Sequence, residues 1–306
     1  MSAALREHLE VAPAVREALA HGRPVVALET TIVTHGMPHP QNVATARSVE
    51  AIVRAGGAVP ATIAVIDGRI RIGLDDDTLE WLGRVRDALK LSRADLPYAI
   101  AARKHGATTV AATMICAHLA GIGVFATGGV GGVHRGAETT FDVSADLEEL
   151  ARTPVTVVCA GAKALLDLRK TLEVLETHGV PVVGYRTDTF PAFWSRSSGL
   201  PVPLRLDSVA EIAALVRAKA ALGLTGGVLV ANPIPAEAEI PAGEIGEHVA
   251  LALAEAEREH VSGKAVTPFL LDRLLVTTHG RSLRANIALV EDNARLAAEI
   301  AVAAAG

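Results

Sequence analysis

A chain of 306 residues, half of them hydrophobic, can bury a sizeable core, which excludes an intrinsically disordered protein. A net charge of -5 supplies no global field for nucleic acid or an anionic membrane, so an anionic ligand must be held by locally placed cations and backbone amides. With aromatic residues at only 3%, the core is expected to be aliphatic.

The N-terminal stretch MSAALREHLEVAP, 1–13, carries charges where a signal peptide needs an apolar run. No stretch approaches the roughly 18 apolar residues of a membrane span, so no membrane partner is expected. Apolar runs bounded by Gly or Pro follow as RPVVALET (23–30), ATIAVIDG (61–68), GIGVFATGG (121–129), TPVTVVCAG (153–161), GVPVVGY (179–185) and TGGVLVANP (225–233), with helical periodicity between most of them. Strands apolar on both faces must be covered on both sides. The expected fold is therefore α/β, a three-layer α/β/α arrangement with a central mixed, largely parallel sheet. Helices are expected to begin near Gln41, Asp75, Thr108, Ala162, Asp207 and Gly243. Asp67-Gly68 marks a hairpin and an antiparallel excursion. The tail, KAVTPFLLDRLL (264–275) and SLRANIALVEDNARLAAEIAVAAA (282–305), reads as two helices that pack back onto the body. No repeat, linker or low-complexity segment divides the chain, so residues 1–306 are expected to form one domain. Cys116 and Cys159, far apart in apolar contexts, suit buried thiols in a reducing cytoplasm better than a disulfide.

Glu29 ends an apolar strand, where sheet termini in α/β folds open onto ligand crevices. A desolvated carboxyl there suits a general acid; the alternative is a strand-end acid hydrogen-bonded to Thr30 or Thr31. In THGMPHPQN, 34–42, His35 and His39 are spaced like a helical zinc pair. Pro38 and Pro40 break any helix, and no Glu follows the first His, so the segment reads as a rigid loop over a pocket. Lys90, beside Arg93 at an expected helix-to-loop transition, is either a phosphate contact or a surface lysine. GATTVAATM, 106–114, has two hydroxyls able to cap a helix or meet a ligand.

TGGVGGVHRGAETTFDVSAD, 127–146, suggests a dinucleotide loop, but His134 stands where the third glycine belongs. What remains is a backbone that a ligand can approach closely, with His134 and Arg135 able to meet an anion. Asp142, Ser144 and Asp146 follow at spacing two and share a face if extended. Asp142 is a hard-metal candidate, since Mg2+ or Mn2+ is held by one or two carboxylates and several waters; the alternative is a solvated acidic turn opening the helix ADLEELART. Lys163 follows the strand TPVTVVCAG and is expected in the first turn of the helix AKALLDLRKTLEVLETHG, 162–179. Helix dipole and burial would both favour its neutral amine, a nucleophile or Schiff-base former; a lysine snorkelling to the surface is the alternative. Asn286 is a polar group on an apolar helix face, read as a buried amide or a ligand contact.

In chain order, VVALETTIVTHGMPHPQN (25–42), GAVPATIAVIDGRIRIGL (57–74), LSRADLPYAI (91–100), TTVAATM (108–114), FATGGVGGVHRGAETTFDVSADLEEL (125–150), VTVVCAGAK (155–163), TLEVLETHGVPVVGYRTDTFPAFW (171–194), GVLVANPIP (227–235) and VTPFLL (266–271) with ANIALV (285–290) resemble the pseudouridine-5′-phosphate glycosidases. The resemblance runs nearly end to end. It implies reversible cleavage of the C–C glycosidic bond of pseudouridine 5′-phosphate to uracil and ribose 5-phosphate, with Mn2+ or another divalent ion such as Mg2+, in a homotrimer. It places the proton donor at Glu29, the nucleophile at Lys163, the metal ligand at Asp142, and substrate contacts at Lys90, Val110, Ser144, Ala145 and Asp146. His134 and Asn286 resemble further pocket residues. Two departures stand out: Phe193-Trp194 where an aromatic pair ending in Tyr is usual, and Arg93-Ala94 in place of a more basic pair. The alternative is a relative that runs the bond-forming direction, joining ribose 5-phosphate to an aromatic polyketide.

Overall fold

The structure, a computed structural model, describes residues 7–306 apart from 262, 264 and 265. Among these residues eleven strands join in one sheet: β1 (Leu9–Val11), β2 (Val25–Leu28), β3 (Val59–Ile66), β4 (Arg69–Ile72), β5 (Leu89–Leu91), β6 (Gly106–Thr108), β7 (Val124–Ala126), β8 (Thr156–Cys159), β9 (Val182–Tyr185), β10 (Leu204–Leu206) and β11 (Val228–Ala231). The main path runs β1-β4-β3-β2-β7-β8-β11-β9-β10, with β6 joined to β3 and β5 to β6. From β3 through β10 every neighbour on this path is parallel. The sequences VVAL, TVVC and VLVA are buried at every position, as strands covered on both faces must be. The antiparallel excursion is β3–β4, turned by Asp67 and Gly68 at φ 52° and 72°, the left-handed pair that a tight hairpin requires.

The helices are α1 (Pro13–Ala20), α2 (Gln41–Ala55), α3 (Asp76–Leu82), α4 (Asp95–Ala101), α5 (Val110–Ala120), α6 (Ala137–Thr140), α7 (Ala145–Arg152), α8 (Leu168–Thr177), α9 (Val209–Ala221), α10 (Ala242–Arg258), α11 (Val266–Thr277) and α12 (Arg281–Ala305). Starts at Gln41, Asp75 and Gly243 lie within one residue of those expected, and Thr109, rather than Thr108, caps α5 by accepting from Ala112 N. Lys264 and Ala265, where the first tail helix was expected to begin, lie outside the described residues; from Val266 the chain is helical. The second, α12, packs across β2, β7 and β8, while α5 packs on β2, β3 and β7. No helix among the described residues is long and apolar enough to cross a membrane.

Two local expectations are corrected. After β8 the chain does not enter a helix at Ala162. Gly161 turns at φ 82°, Leu165 and Leu166 plug into the core, and α8 begins at Leu168, where the Asp167 side chain accepts from Lys170 N at 3.0 Å. Lys163 therefore sits in a loop five residues before a helix, and the dipole argument for its neutral form falls away. Lys90 lies within β5, paired to Ala107 of β6, not at the end of a helix.

Candidate active site

Glu29 directly follows β2, Thr127 follows β7, and the loop bearing Lys163 follows β8. These three strands are consecutive parallel neighbours, so their carboxyl ends open onto one crevice. Glu29 is half-buried, and its two oxygens accept hydrogen bonds from the hydroxyls of Thr31 and Thr127. Thr31 thus fulfils the strand-end alternative, whereas Thr30 turns away and donates to Ile63 O at 2.7 Å. The carboxyl nonetheless faces the cavity.

That cavity has two chambers. One, of about 580 Å³, is walled by Ile32, Met37, Phe193, Leu271 and Leu289, with Asn286 among them. The other, of about 930 Å³, is more polar, with Ser92, Thr109, His134, Asp142, Ser144 and Asp146 among its lining residues. Glu29, Thr31, Lys90 and Lys163 line both, and so mark the seam between them. Burial lowers the His134 pKa, the charges of Lys163 and Lys90 lower it further, and Asp142 opposes them; burial is the largest effect. His35, at the wall of the apolar chamber, is likewise lowered, first by burial and then by Lys90. Burial pushes the nearby Cys159 thiol up to about 12, which leaves it an inert core group.

The structure brings the sequence-derived residues together with some changes of part. Val110 is the first residue of α5 and lines the polar chamber with Ser144 and Ala145. Asp142, Ser144 and Asp146 do not form an extended face, because Ser144 caps α7 and Asp146 already lies in its first turn. Asp146 is buried, accepting from Ala111 N at 3.0 Å and Gly131 N at 2.8 Å, so it also ties the start of α5 to the glycine loop. The glycines there make room for the protein itself as well as for a ligand. A Cβ at Gly129 would lie 2.6 Å from the Phe193 ring, and one at Gly131 would strike Ser144 and Asp146. Arg93 is bidentate to the buried Glu149 through Nε and Nη2 at 2.8 and 2.7 Å, so two of its three nitrogens are engaged within the protein. Arg135 is exposed, and His39 pairs with Glu80 rather than with His35; the expected loop is corrected in part, because Ile32–Gly36 is a π-helical turn that sets His35 and Gly36 at the pocket wall beside Met37.

Among the described residues no group of three or more His, Cys, Asp or Glu side chains converges as a metal cage. Asp142 Oδ2 lies 3.8 Å from His134 Nδ1 and offers one carboxylate to the polar chamber. A hard divalent ion that keeps most of its waters fits such a site; zinc does not. Sequence reasoning missed Thr127, because the adjacency of β7 to β2 is set by the order of strands in the sheet and not by spacing along the chain. It also missed Trp194 as the partner of Asn286, a contact 92 positions apart that no local pattern reveals.

The family described as indigoidine synthase A like protein matches residues 14–303. A pseudouridine-5′-phosphate glycosidase of Methylobacterium nodulans is 70% identical over 97% of this chain and 88% of its own length. One of Solibacter usitatus is 67% identical over 96% and 98%. Among solved structures, the prealnumycin C-glycosynthase AlnA in complex with ribulose 5-phosphate superposes with a TM-score of 0.90 at 40% identity, covering 98% of this chain and 97% of that one. An indigoidine synthase A-like protein of Thermotoga maritima gives 0.88 at 39% identity, covering 96% of each chain. With conformity of this kind along nearly its whole length, the chain belongs to the family of the pseudouridine-5′-phosphate glycosidases.

Proposed function

We propose that this chain, acting as a single catalytic domain, reversibly cleaves the C–C bond between base and sugar in pseudouridine 5′-phosphate, releasing uracil and ribose 5-phosphate for pseudouridine catabolism. The observation that carries this reading is the seam: Glu29 and Lys163 stand where a mostly apolar chamber meets a more polar one that holds Lys90, His134 and Asp142. A pentose phosphate fits the polar side, and AlnA, so similar in fold, holds ribulose 5-phosphate.

The bond to a uracil carbon has no heteroatom to protonate, so the paired-carboxylate route of ordinary glycosidases is insufficient. In the proposed course Glu29 gives its proton to the ribose ring oxygen as the C1–O bond breaks, and the base supplies the electron pair that forms a double bond to C1. The Lys163 amine adds to C1 and returns that pair to the base. Protonation of the uracil carbon then lets the C–C bond break, leaving an iminium between Lys163 and the opened sugar, which water hydrolyses. Asp142 would hold the divalent ion, Mn2+ or Mg2+, whose charge would help to orient an anionic substrate. Lys90, Val110, Ser144, Ala145, Asp146 and His134 would surround the sugar phosphate, and Asn286 the base. The family resemblance carries with it a homotrimer, and two buried free thiols suit a cytoplasmic enzyme.

The likeness to AlnA favours one second reading, bond formation with an aromatic acceptor, but glycosidases at 67–70% identity are nearer than a synthase at 40%. A uracil-release assay with and without Mn2+ separates the two. Borohydride added with ribose 5-phosphate is expected to fix the sugar on Lys163, and Lys163→Ala to abolish both trapping and release. An adduct mapped to another residue would overturn the assignment.

A further inference from the structure

In a chamber with mostly apolar walls, the orientation of a single carboxamide decides what can bind. Asn286, 8% exposed on α12, lines that chamber. A carboxamide is nearly the same shape either way round, but its oxygen only accepts and its NH2 only donates, so its neighbours fix which end faces the ligand. Here the neighbour is Trp194, 1% exposed, whose indole N–H can only donate. It donates to Asn286 Oδ1 at 2.6 Å and shares the proton with Ser282 O at 3.2 Å. Turning the amide over would set NH2 against the indole N–H and leave that N–H only the longer bond to Ser282 O, so the turned state is disfavoured. Asn286 Nδ2 donates to no other described residue, so its N–H groups are left for whatever occupies the chamber. Trp194 itself is held firmly: it meets Phe193 edge to face, with centroids 4.9 Å apart and planes at 80°. Phe193 N in turn donates to Ala160 O at 3.0 Å, on the loop that carries Lys163.

We infer that Trp194 sets the hydrogen-bond polarity of the apolar chamber, holding Asn286 as a donor and so selecting a ring with a carbonyl oxygen at that wall over one with an amino group. The inference rests on the functional reading above and deepens it. Trp194 is a positioning residue that acts through Asn286. An indole can only donate, so in this chain the choice is fixed.

The test compares kcat/KM for pseudouridine 5′-phosphate with that for two analogues in which an amino group replaces each ring carbonyl in turn. One analogue is expected to be disfavoured by at least about 100-fold, since it sets an amino donor against the buried N–H donors. In Trp194→Phe the amide is free to turn, and the ratio is expected to fall by about 10-fold or more. In Asn286→Asp one carboxylate oxygen still accepts from Trp194 while the other presents an acceptor, so the preference should shift toward that analogue by at least about 10-fold. The second variant decides the matter should the first fail to fold. Unchanged ratios in the folded variants would overturn the inference. A further measurement needs no turnover. The chain has two tryptophans, and Trp81 is 39% exposed, so the Trp194 indole proton should exchange far more slowly than that of Trp81 and change its NMR shift in Asn286→Asp. Exchange as fast as that of Trp81 removes the lock, whereas a slow Trp194 proton in an enzyme inactive on pseudouridine 5′-phosphate would sink the functional reading and leave the lock standing.

Discussion

Glu29 is useful at the seam because two hydroxyls hold it there. Thr31 reaches it from two residues along the chain, at the start of the π-helical turn, and Thr127 from the neighbouring strand end, one on each oxygen, so the carboxyl is held facing the cavity. In the proposed course an acid fixed in this way would contribute to the chemical step more than to binding. Glu29→Gln keeps the shape but has no proton to give the ring oxygen. Uracil release is expected to drop by about 100-fold or more, while ribose 5-phosphate still binds in a calorimeter. Near-normal turnover would show that the proton comes from elsewhere.

At the scale of elements, loops and helix starts are stitched together by buried acids. Asp146 joins α7 to the start of α5 and to the glycine loop, and Glu149, one turn further along α7, accepts two hydrogen bonds from Arg93 and one from the hydroxyl of Thr153. Glu149 is 1% exposed, so removing its cationic partner leaves a charge in the core with less to compensate it. Arg93→Met should therefore cost stability, about 1–3 kcal/mol in a urea titration, while KM for the phosphorylated substrate stays put. A raised KM at unchanged stability would restore Arg93 as a phosphate contact.

For the molecule as a whole, the site is assembled from both ends of the chain. Helix α12 carries Asn286 to the apolar chamber and, two turns on, Asn293, whose Nδ2 donates to Thr127 O at 2.8 Å while its Oδ1 accepts from Asn232 at 3.1 Å. The last helix thus holds the strand ends on which Glu29 depends. Stability should also feel His35, half-buried in the π-helical turn after β2. His35 binds its proton more weakly in the folded protein than its ordinary value of 6.5, because of burial and Lys90. Between the lowered value and 6.5 the unfolded chain holds more protons at this position, so its contribution favours folding increasingly as pH rises and is lost as pH falls below 6.5. Urea midpoints taken across this range should fall less steeply on acidification for His35→Asn than for the parent; parallel curves would remove His35 as a source of the slope.

The sequence by itself determined the class of fold, because uninterrupted apolar strands demand cover on both faces, and it determined the hairpin at Asp67-Gly68, because that turn is local chemistry. That Glu29, Lys163 and Asn286 line the cavity was legible because each interrupts an apolar pattern or follows a strand, and Asp142 because it opens a run of polar residues at spacing two after the glycine loop. Only the tertiary structure decided that Lys163 lies outside a helix, since burial of Leu165 and Leu166 outweighed the helical periodicity around it. Likewise, only the packing of distant segments gave Thr127 to Glu29 and Trp194 to Asn286, because a hydrogen bond between residues some hundred positions apart leaves no period or spacing in the chain.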